Sequence, residues 1–149
     1  MAHAENEVTI NRTADDVYAF LADGLNNKLW RPAVQEVALA GGQAGAQGAV
    51  YSQTLTGPGG RPIAGDYEIT AAQPGRRLDF EVTAGPARPN GSFTLEERDG
   101  RTTVRFELDL EPKGLMKLMG SMITKTMQSE VGQLDTLKSV LEAGGGLNG

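Results

Sequence analysis

The fold is decided by residues 115–142, which read LMKLMGSMITKTMQSEVGQLDTLKSVLE. Apolar residues recur here every three or four positions, which places them on one face of an α-helix. These residues are Leu115, Met116, Met119, Met122, Ile123, Met127, Leu134, Leu137, Val140 and Leu141. Pro112 precedes the pattern and consecutive glycines from Gly144 follow it, so it predicts one long helix over 115–142. Such a helix is roughly 40 Å long and needs an extended apolar partner.

Upstream of this helix, apolar and polar residues alternate, which predicts β-strands. A capping pattern at Thr13 opens a short helix, and residues 25–30 form a second one that ends before Pro32. The charged face of the strands indicates an antiparallel sheet that is wetted on one side and covered on the other. The predicted fold class is α+β, a curved seven-stranded antiparallel sheet around the C-terminal helix in the order β-α-α-β6-α. The predicted strands are residues 7–12, 34–40, 49–56, 63–71, 77–84, 93–96 and 104–111.

Length and composition indicate a single domain over residues 1–143, followed by a flexible glycine-rich tail over 144–149. The chain has 39% hydrophobic and 22% charged residues, as is typical of soluble globular proteins. It has no run of about 18 apolar residues, which argues against a membrane span, and its polar start is unlike a signal peptide. The absence of cysteine agrees with a reducing compartment, so the predicted location is cytoplasmic.

The charge pattern argues against several partners. A net charge of -5 disfavours nucleic acid, and the basic residues near the start of the long helix are interpreted as a solvated face. The one histidine, His3, is predicted to lie in a frayed terminus, which argues against a histidine-based metal site or catalytic triad. We therefore expect no metal and no cofactor, and either a monomer or a homodimer.

Five stretches carry a likeness to a known family. They are INRTADDVYAFLAD at 10–23, LWRP at 29–32 with Val34, GPGGR at 57–61, PGRRL at 74–78 and LDTLKSVLE at 134–142. Together they resemble the SRPBCC superfamily, which includes START domains and proteins of the birch-pollen-allergen type, and most of all its bacterial proteins labelled polyketide cyclase/dehydrase or lipid-transport-like. The resemblance implies a helix-grip fold, in which sheet and C-terminal helix enclose a cavity for apolar small molecules. We can match no cyclase's catalytic residues onto this sequence, so the resemblance assigns no reaction.

The two halves of the long helix differ in composition. Four of the five methionines, Met116, Met119, Met122 and Met127, lie in the first half, whereas the second half uses leucine and valine. Methionine is flexible and suits a surface that adapts to a ligand, although an ordinary core is the alternative. Because only 5% of residues are aromatic, we expect a cavity beside the first half. The predicted ligand-binding residues are Trp30, Tyr51, Tyr67, Phe80, Phe93, Met119, Met122, Ile123, Met127 and Glu130.

Each polar candidate has two interpretations. Tyr51 and Tyr67 either offer a hydroxyl to a ligand or satisfy it within the protein. Trp30 either gates the cavity or caps the core. Glu130 lies in the centre of the apolar stripe, so it is either the polar end of the cavity and a weak candidate for a general base, or one half of a structural ion pair. The strand pattern suggests Arg61 or Arg76 as its partner.

The sequence leaves three functions open. The first is binding, or transport, of a hydrophobic small molecule or lipid in an internal cavity. The second is a cyclase, dehydratase or hydrolase that acts on a polyketide-like or aromatic ligand there; it requires two polar groups aimed at one point. The third is a protein-interaction module, which requires an exposed apolar patch and little internal volume.

Overall fold

The computed structural model describes residues 2–85, 87–111 and 120–144. Within these ranges the chain forms eight β-strands, four α-helices and two short 3₁₀ turns at Gly24–Asn26 and Pro58–Gly60. The strands are β1 (Ala2–Ile10), β2 (Val34–Gly41), β3 (Val50–Thr56), β4 (Pro62–Ala64), β5 (Tyr67–Gln73), β6 (Arg77–Val82), β7 (Asn90–Arg98) and β8 (Arg101–Leu110). The helices are α1 (Ala14–Ala22), α2 (Asn27–Trp30), α3 (Gly120–Gly132) and α4 (Leu134–Glu142).

The strands form one antiparallel sheet in the order β1-β8-β7-β6-β5-β3-β2, and β4 pairs with β3. The predicted α+β helix-grip class is confirmed, but the strand predicted over 63–71 is divided in two. Gly65 donates its N–H to the carbonyl of Gln53, and the Asp66 carboxylate accepts the N–H of Gln53. These bonds hold the break between β4, which pairs with the end of β3, and β5, which pairs with its start.

Local signals in the sequence predicted most turns and helix ends. The Thr13 hydroxyl accepts the N–H of Asp16, 3.2 Å away, so the expected cap opens α1. The hairpin between β7 and β8 turns at Asp99 and Gly100, whose φ angles are 55° and 77°. Two successive positive φ angles match the right-handed twist of the flanking strands, which is why Asp-Gly predicts this turn.

The first strand begins earlier than predicted. It starts at Ala2 and pairs with β8 along its whole length, so His3 lies in the sheet and not in a frayed terminus. The prediction was wrong because the polar residues at the start of the chain were interpreted as a loop. Their side chains point outward, whereas the intervening Ala2 and Ala4 are buried, which is the alternation of a sheet with one covered face.

The C-terminal helical segment is not continuous. Residues 112–119 of the predicted long helix lie outside the described residues, and the remainder is divided into α3 and α4 around Gln133. At the break, Gln133 donates its N–H to the carbonyl of Glu130, 3.1 Å away, in a tighter turn than an α-helix makes. Gly132 lies beside the break, and glycine is a poor helix former. Helix α4 ends at Glu142, before Gly144 as predicted.

Helices α3 and α4 cover different parts of the sheet. Helix α3 packs on β1 and β8, whereas α4 packs on β1 and on α2. Fully buried apolar side chains of α1, β8 and α4 join the covered face of the sheet in one core. Across the described ranges, the helices lack the length and hydropathy that a membrane crossing requires.

Candidate functional site

A cavity of about 290 Å³ lies between the covered face of the sheet and α3. Most side chains that line it are apolar, and they come from α1, the sheet and α3. This composition suits an apolar ligand, and a small number of polar groups in the wall would fix its orientation. The buried apolar residues of the wall include Leu21, Ile69, Leu78, Phe80, Phe93, Leu108, Leu110, Ile123 and Met127.

One part of the wall is a hydrogen-bonded cluster of three polar side chains, Asn27, Gln53 and Tyr67, which we call the amide–tyrosine cluster. Asn27 Nδ2 donates to Gln53 Oε1 and to Tyr67 Oη, at 2.9 Å each. Gln53 Nε2 in turn donates to the carbonyl of Gly65 at 3.3 Å. All three side chains are buried and line the cavity. Buried polar groups normally need such partners because each lost bond to water must be replaced.

The Tyr67 hydroxyl fits at this place because Gly24 lies against it. A Cβ on Gly24 would lie 2.2 Å from Tyr67 Oη, so any other residue would displace the ring. Burial raises the pKa of Tyr67 well above its ordinary value of 10.0, and the hydrogen bond from Asn27 and the charge of Arg31 only partly oppose this. Tyr67 is therefore an uncharged phenol at physiological pH.

An ion pair forms another part of the wall. Arg31 Nε donates to Glu130 Oε2 at 3.0 Å, and the two side chains are 13% and 17% exposed. The prediction that Arg61 or Arg76 pairs with Glu130 was wrong, since both are exposed. Arg31 reaches Glu130 because it directly follows α2. Its guanidinium carbon lies 5.9 Å from the centre of the Trp30 ring, a cation–π distance that helps to hold it there.

Some lining residues are partly exposed and mark the opening of the cavity. Met122 of α3 is 55% exposed, although it also lines the cavity. On the sheet side, Leu55, Ile63, Ala87 and Pro89 are partly exposed lining residues. The mouth is therefore apolar and lies between α3 and the loops that follow β3 and β6.

The aromatic rings of Trp30, Phe80 and Phe93 line the cavity, and Phe106 packs against them without lining it. Phe93 and Phe106 stack with centroids 4.3 Å apart, and Trp30 meets both edge-on at 6.1 Å. Phe80 lies over Gly91 of the neighbouring strand, where a Cβ would come within 2.1 Å of its ring. The absence of a side chain at Gly91 therefore leaves room for the ring of Phe80. The indole Nε1 of Trp30 is buried without a hydrogen-bond partner among the described residues.

The structure brings most of the sequence-predicted site residues to this one cavity. The residues that line it are Trp30, Tyr67, Phe80, Phe93, Met122, Ile123, Met127 and Glu130. Met119 lies outside the described residues. Tyr51 does not line the cavity, because its ring stacks on that of Tyr67 at 5.2 Å and its hydroxyl accepts the N–H of Gly45. A role in ligand binding remains a prediction for all ten residues.

Sequence reasoning missed Asn27, Gln53 and Arg31 as residues of the cavity wall. A signal existed for Gln53, since it alternates with Tyr51 and Leu55 on the inward face of β3. A polar residue at an inward position calls for a partner or a function. Asn27 and Arg31 had no comparable signal, because the contacts of a four-residue helix depend on where the chain places it.

A second group of titratable residues lies on the outer face of the sheet. His3 Nδ1 is 2.5 Å from Asp109 Oδ1 and its Nε2 is 2.9 Å from Glu5 Oε2. Side-chain ligand atoms of His3, Glu107 and Asp109 lie within 4.8 Å of one another, the one such metal-like group in the ranges that the structure describes. Both ring nitrogens of His3 already face carboxylates, so the contacts are those of a surface ion-pair network.

The arrangement of sheet, C-terminal helices and enclosed cavity defines a helix-grip protein of the SRPBCC superfamily. A family model described as "Polyketide cyclase / dehydrase and lipid transport" matches residues 1–142, and the chain belongs to this family. We found no significant sequence match among curated proteins.

Solved structures with the same fold differ greatly in sequence. TTHA0849 from Thermus thermophilus has a TM-score of 0.80 and 18% identity, with 95% of this chain and 98% of that chain covered. A START superfamily protein from Mycobacterium smegmatis has a TM-score of 0.80 and 13% identity, with 96% and 99% covered. Ara h 8.0201 has a TM-score of 0.73 and 19% identity, with 95% and 97% covered. At these identities the likeness establishes the fold alone.

Proposed function

We propose that this protein binds a hydrophobic small molecule or lipid in the cavity between the sheet and α3. The observation that carries the proposal is the cavity itself, about 290 Å³ with a mainly apolar wall. Transfer of apolar surface from water into such a wall is favourable by about 25 cal/mol per Å². The family description, which includes lipid transport, agrees with this function.

Binding is a better account of the wall than catalysis. A catalytic site needs a base and an acid aimed at one point. Here the Glu130 carboxylate is engaged in an ion pair, in which Oε2 accepts a hydrogen bond from Arg31 Nε at 3.0 Å. Tyr67 keeps its proton because burial raises its pKa. These two groups are arranged to orient a ligand, and the enzymatic alternative would require the ion pair to open.

A variant that fills the cavity tests the proposal. Native mass spectrometry of gently purified protein should show a co-purifying small molecule, and the neutral dye N-phenyl-1-naphthylamine should fluoresce when it binds. Ile123→Trp places a large ring in the cavity, since Ile123 lines it and is 8% exposed. The ring would occupy space that the dye needs, so dye affinity should fall by about tenfold or more. The overpacking should also cost about 1–3 kcal/mol of folding stability.

Ser129→Trp is the matched control, because Ser129 lies on the exposed side of the same helix. This variant should bind the dye as the wild type does. Equal dye binding by both variants, or no dye binding by the wild type, would refute a ligand site in the cavity.

A further inference from the structure

The polar groups of the cavity wall retain several hydrogen-bond donors that no described residue engages. In the amide–tyrosine cluster, Asn27 Nδ2 uses both of its hydrogens, on Gln53 Oε1 and Tyr67 Oη. Tyr67 therefore accepts through its oxygen, and its own O–H has no acceptor among the described residues. Gln53 Nε2 uses one hydrogen on the carbonyl of Gly65 and retains a second.

Arg31 adds further donors to the same wall. A guanidinium has five N–H bonds, and only Nε–H is engaged, by Glu130. Its terminal nitrogens have no hydrogen-bond partner in the part of the chain that the structure describes. Arg31 lines the same cavity as Tyr67 and Gln53, and it directly follows α2, the helix that carries Asn27. The unused donors of Tyr67, Gln53 and Arg31 therefore belong to one region, where Asn27 Oδ1 is the unused amide acceptor.

The same wall carries no net charge. Arg31 and Glu130 are the charged residues among its described members, and they neutralise each other. A carboxylate brought into this cavity would lose its water and find the arginine already paired. A carbonyl oxygen accepts the same hydrogen bonds with a much smaller loss of hydration.

We propose that the donors of Tyr67, Gln53 and Arg31 select apolar ligands that carry a neutral carbonyl oxygen and discriminate against ligands that carry a carboxylate. This inference rests on the proposed function, because it names the chemical class of ligand for the same cavity. An apolar body fills the space between the sheet and α3, and its carbonyl oxygen lies against the amide–tyrosine cluster.

Three probes with one ring system test the selection. 2-Ethylnaphthalene has no acceptor, 2-acetylnaphthalene has a neutral carbonyl and 2-naphthoate has a carboxylate in a similar place. Titration calorimetry at pH 7 should give the tightest binding for the acetyl compound. One hydrogen bond gives it about a five- to tenfold advantage over the ethyl compound, and the naphthoate should bind most weakly.

Tyr67→Phe removes the phenolic donor and keeps the ring. It should reduce the advantage of the acetyl compound over the ethyl compound, and the remaining donors of Gln53 and Arg31 should preserve part of it. Tyr51→Phe is the matched control, since Tyr51 stacks on Tyr67 and is fully buried but does not line the cavity. It should leave the order and spacing of the three affinities unchanged.

The outcomes separate this inference from the function on which it rests. If the ethyl compound binds but the acetyl compound binds no better, or the naphthoate binds best, the carbonyl selection is wrong and the cavity still binds ligands. If none of the three probes binds, the proposed function and this inference fail together. The comparison of the three probes on the wild-type protein tests the carbonyl selection even if Tyr67→Phe does not fold.

Discussion

Helices α3 and α4 follow each other in the chain but differ in how their inward side chains are packed. In α4 the three inward residues Leu134, Leu137 and Leu141 are completely buried. The same helix is tied to the first strand and the turn that follows it, because Lys138 Nζ donates to the carbonyl of Thr9 and Arg12 Nε donates to the carbonyl of Leu141. Dense packing and backbone anchors make α4 a structural element.

In α3 the inward residues face the cavity as well as other side chains. Ile123 and Met127 are buried but line the cavity, and Met122 at its mouth is 55% exposed. The polar contacts of this helix include the Arg31–Glu130 pair and the hydrogen bond from Asn6 to the carbonyl of Val131. From this difference and the proposed function we expect stability and binding to divide at Gln133, so mutations on the two sides should have separable effects.

Leu137→Ala should produce the largest loss of stability. Leu137 is completely buried away from the cavity, so its removal should lower the free energy of unfolding by about 2–5 kcal/mol. Met127→Ala should cost less, because the Met127 side chain borders a cavity and makes fewer contacts there. Urea denaturation measures both values. Dye affinity should be unchanged in folded Leu137→Ala, and equal losses of stability in the two variants would contradict the division of the segment.

Glu130→Gln should lower the free energy of unfolding by less than Leu137→Ala does, but by more than the loss of an exposed ion pair does. The glutamine keeps an oxygen for Arg31 and removes the charge, so we expect a loss of about 1–2 kcal/mol. The control is Glu142→Gln in α4, which breaks an exposed pair with Lys138 and should cost much less. If ligand affinity and its pH dependence between about pH 4 and 8 stay unchanged in Glu130→Gln, Glu130 has no role in the site.

The sequence was sufficient for the fold because each local signal agreed with the global pattern. The inward residues Val104, Phe106 and Leu108 of β8 are all buried, as their alternation predicted. Of the four methionines, Met122 and Met127 border the cavity, and Met116 and Met119 lie outside the described residues. The leucines of α4 lie in the packed core. The break at Gln133 was missed, although Gly132 weakens the helix at that point and was a usable signal.

The polar wall of the cavity could not be predicted in the same way. Local patterns show which face a residue occupies, but they do not show which distant residue it meets. Glu130 was expected to pair with an arginine of the sheet, yet Arg31, 99 residues away in sequence, reaches it first. The position of Arg31 depends on how α2 packs on β2 and α4, and this follows from the assembled fold.

Met122→Ala should separate binding from stability more clearly than the preceding variants. Because Met122 is 55% exposed, its truncation should change stability by less than about 0.5 kcal/mol. It should nevertheless alter the affinity for N-phenyl-1-naphthylamine, since its side chain lines the mouth of the cavity. Leu39→Ala is the control, because Leu39 is a similarly exposed apolar residue of β2 that does not line the cavity. Equal dye affinity in both variants would rule out a contribution of Met122 to binding.

The smallest expected effect is a pH dependence of the stability of β1 at the end near α3. It arises from the outer-face network, which is formed by His3, Glu5, Arg105 and Asp109. Hydrogen bonds to Asp109 and Glu5 raise the pKa of His3 above its ordinary value of 6.5. The hydrogen bond from His3, followed by that from Arg105, lowers the pKa of Glu5 below 4.5. Glu107 also faces this group, through its ion pair with Arg105.

The signs of the two shifts define a pH window. The contribution of His3 is fully present below about pH 6.5 and is lost as the pH rises through the raised pKa of the folded state. The contribution of Glu5 is present above about pH 4.5 and is lost as the pH falls through its lowered pKa. The network should therefore stabilise β1 most between these values, and only slightly, because the His3 side chain is 43% exposed.

NMR titration of the single histidine gives the pKa of His3 directly, and hydrogen exchange locates the effect. Above the pKa of His3, the amides at the start of β1 should lose protection relative to their intrinsic exchange rates at the same pH. The amides near Thr9 should keep their protection, because α4 anchors that end through Lys138. His3→Gln should remove the difference between the two pH values. A uniform change along β1 would show that the two ends respond as one unit, and that the separation between α3 and α4 does not extend to the strand beneath them.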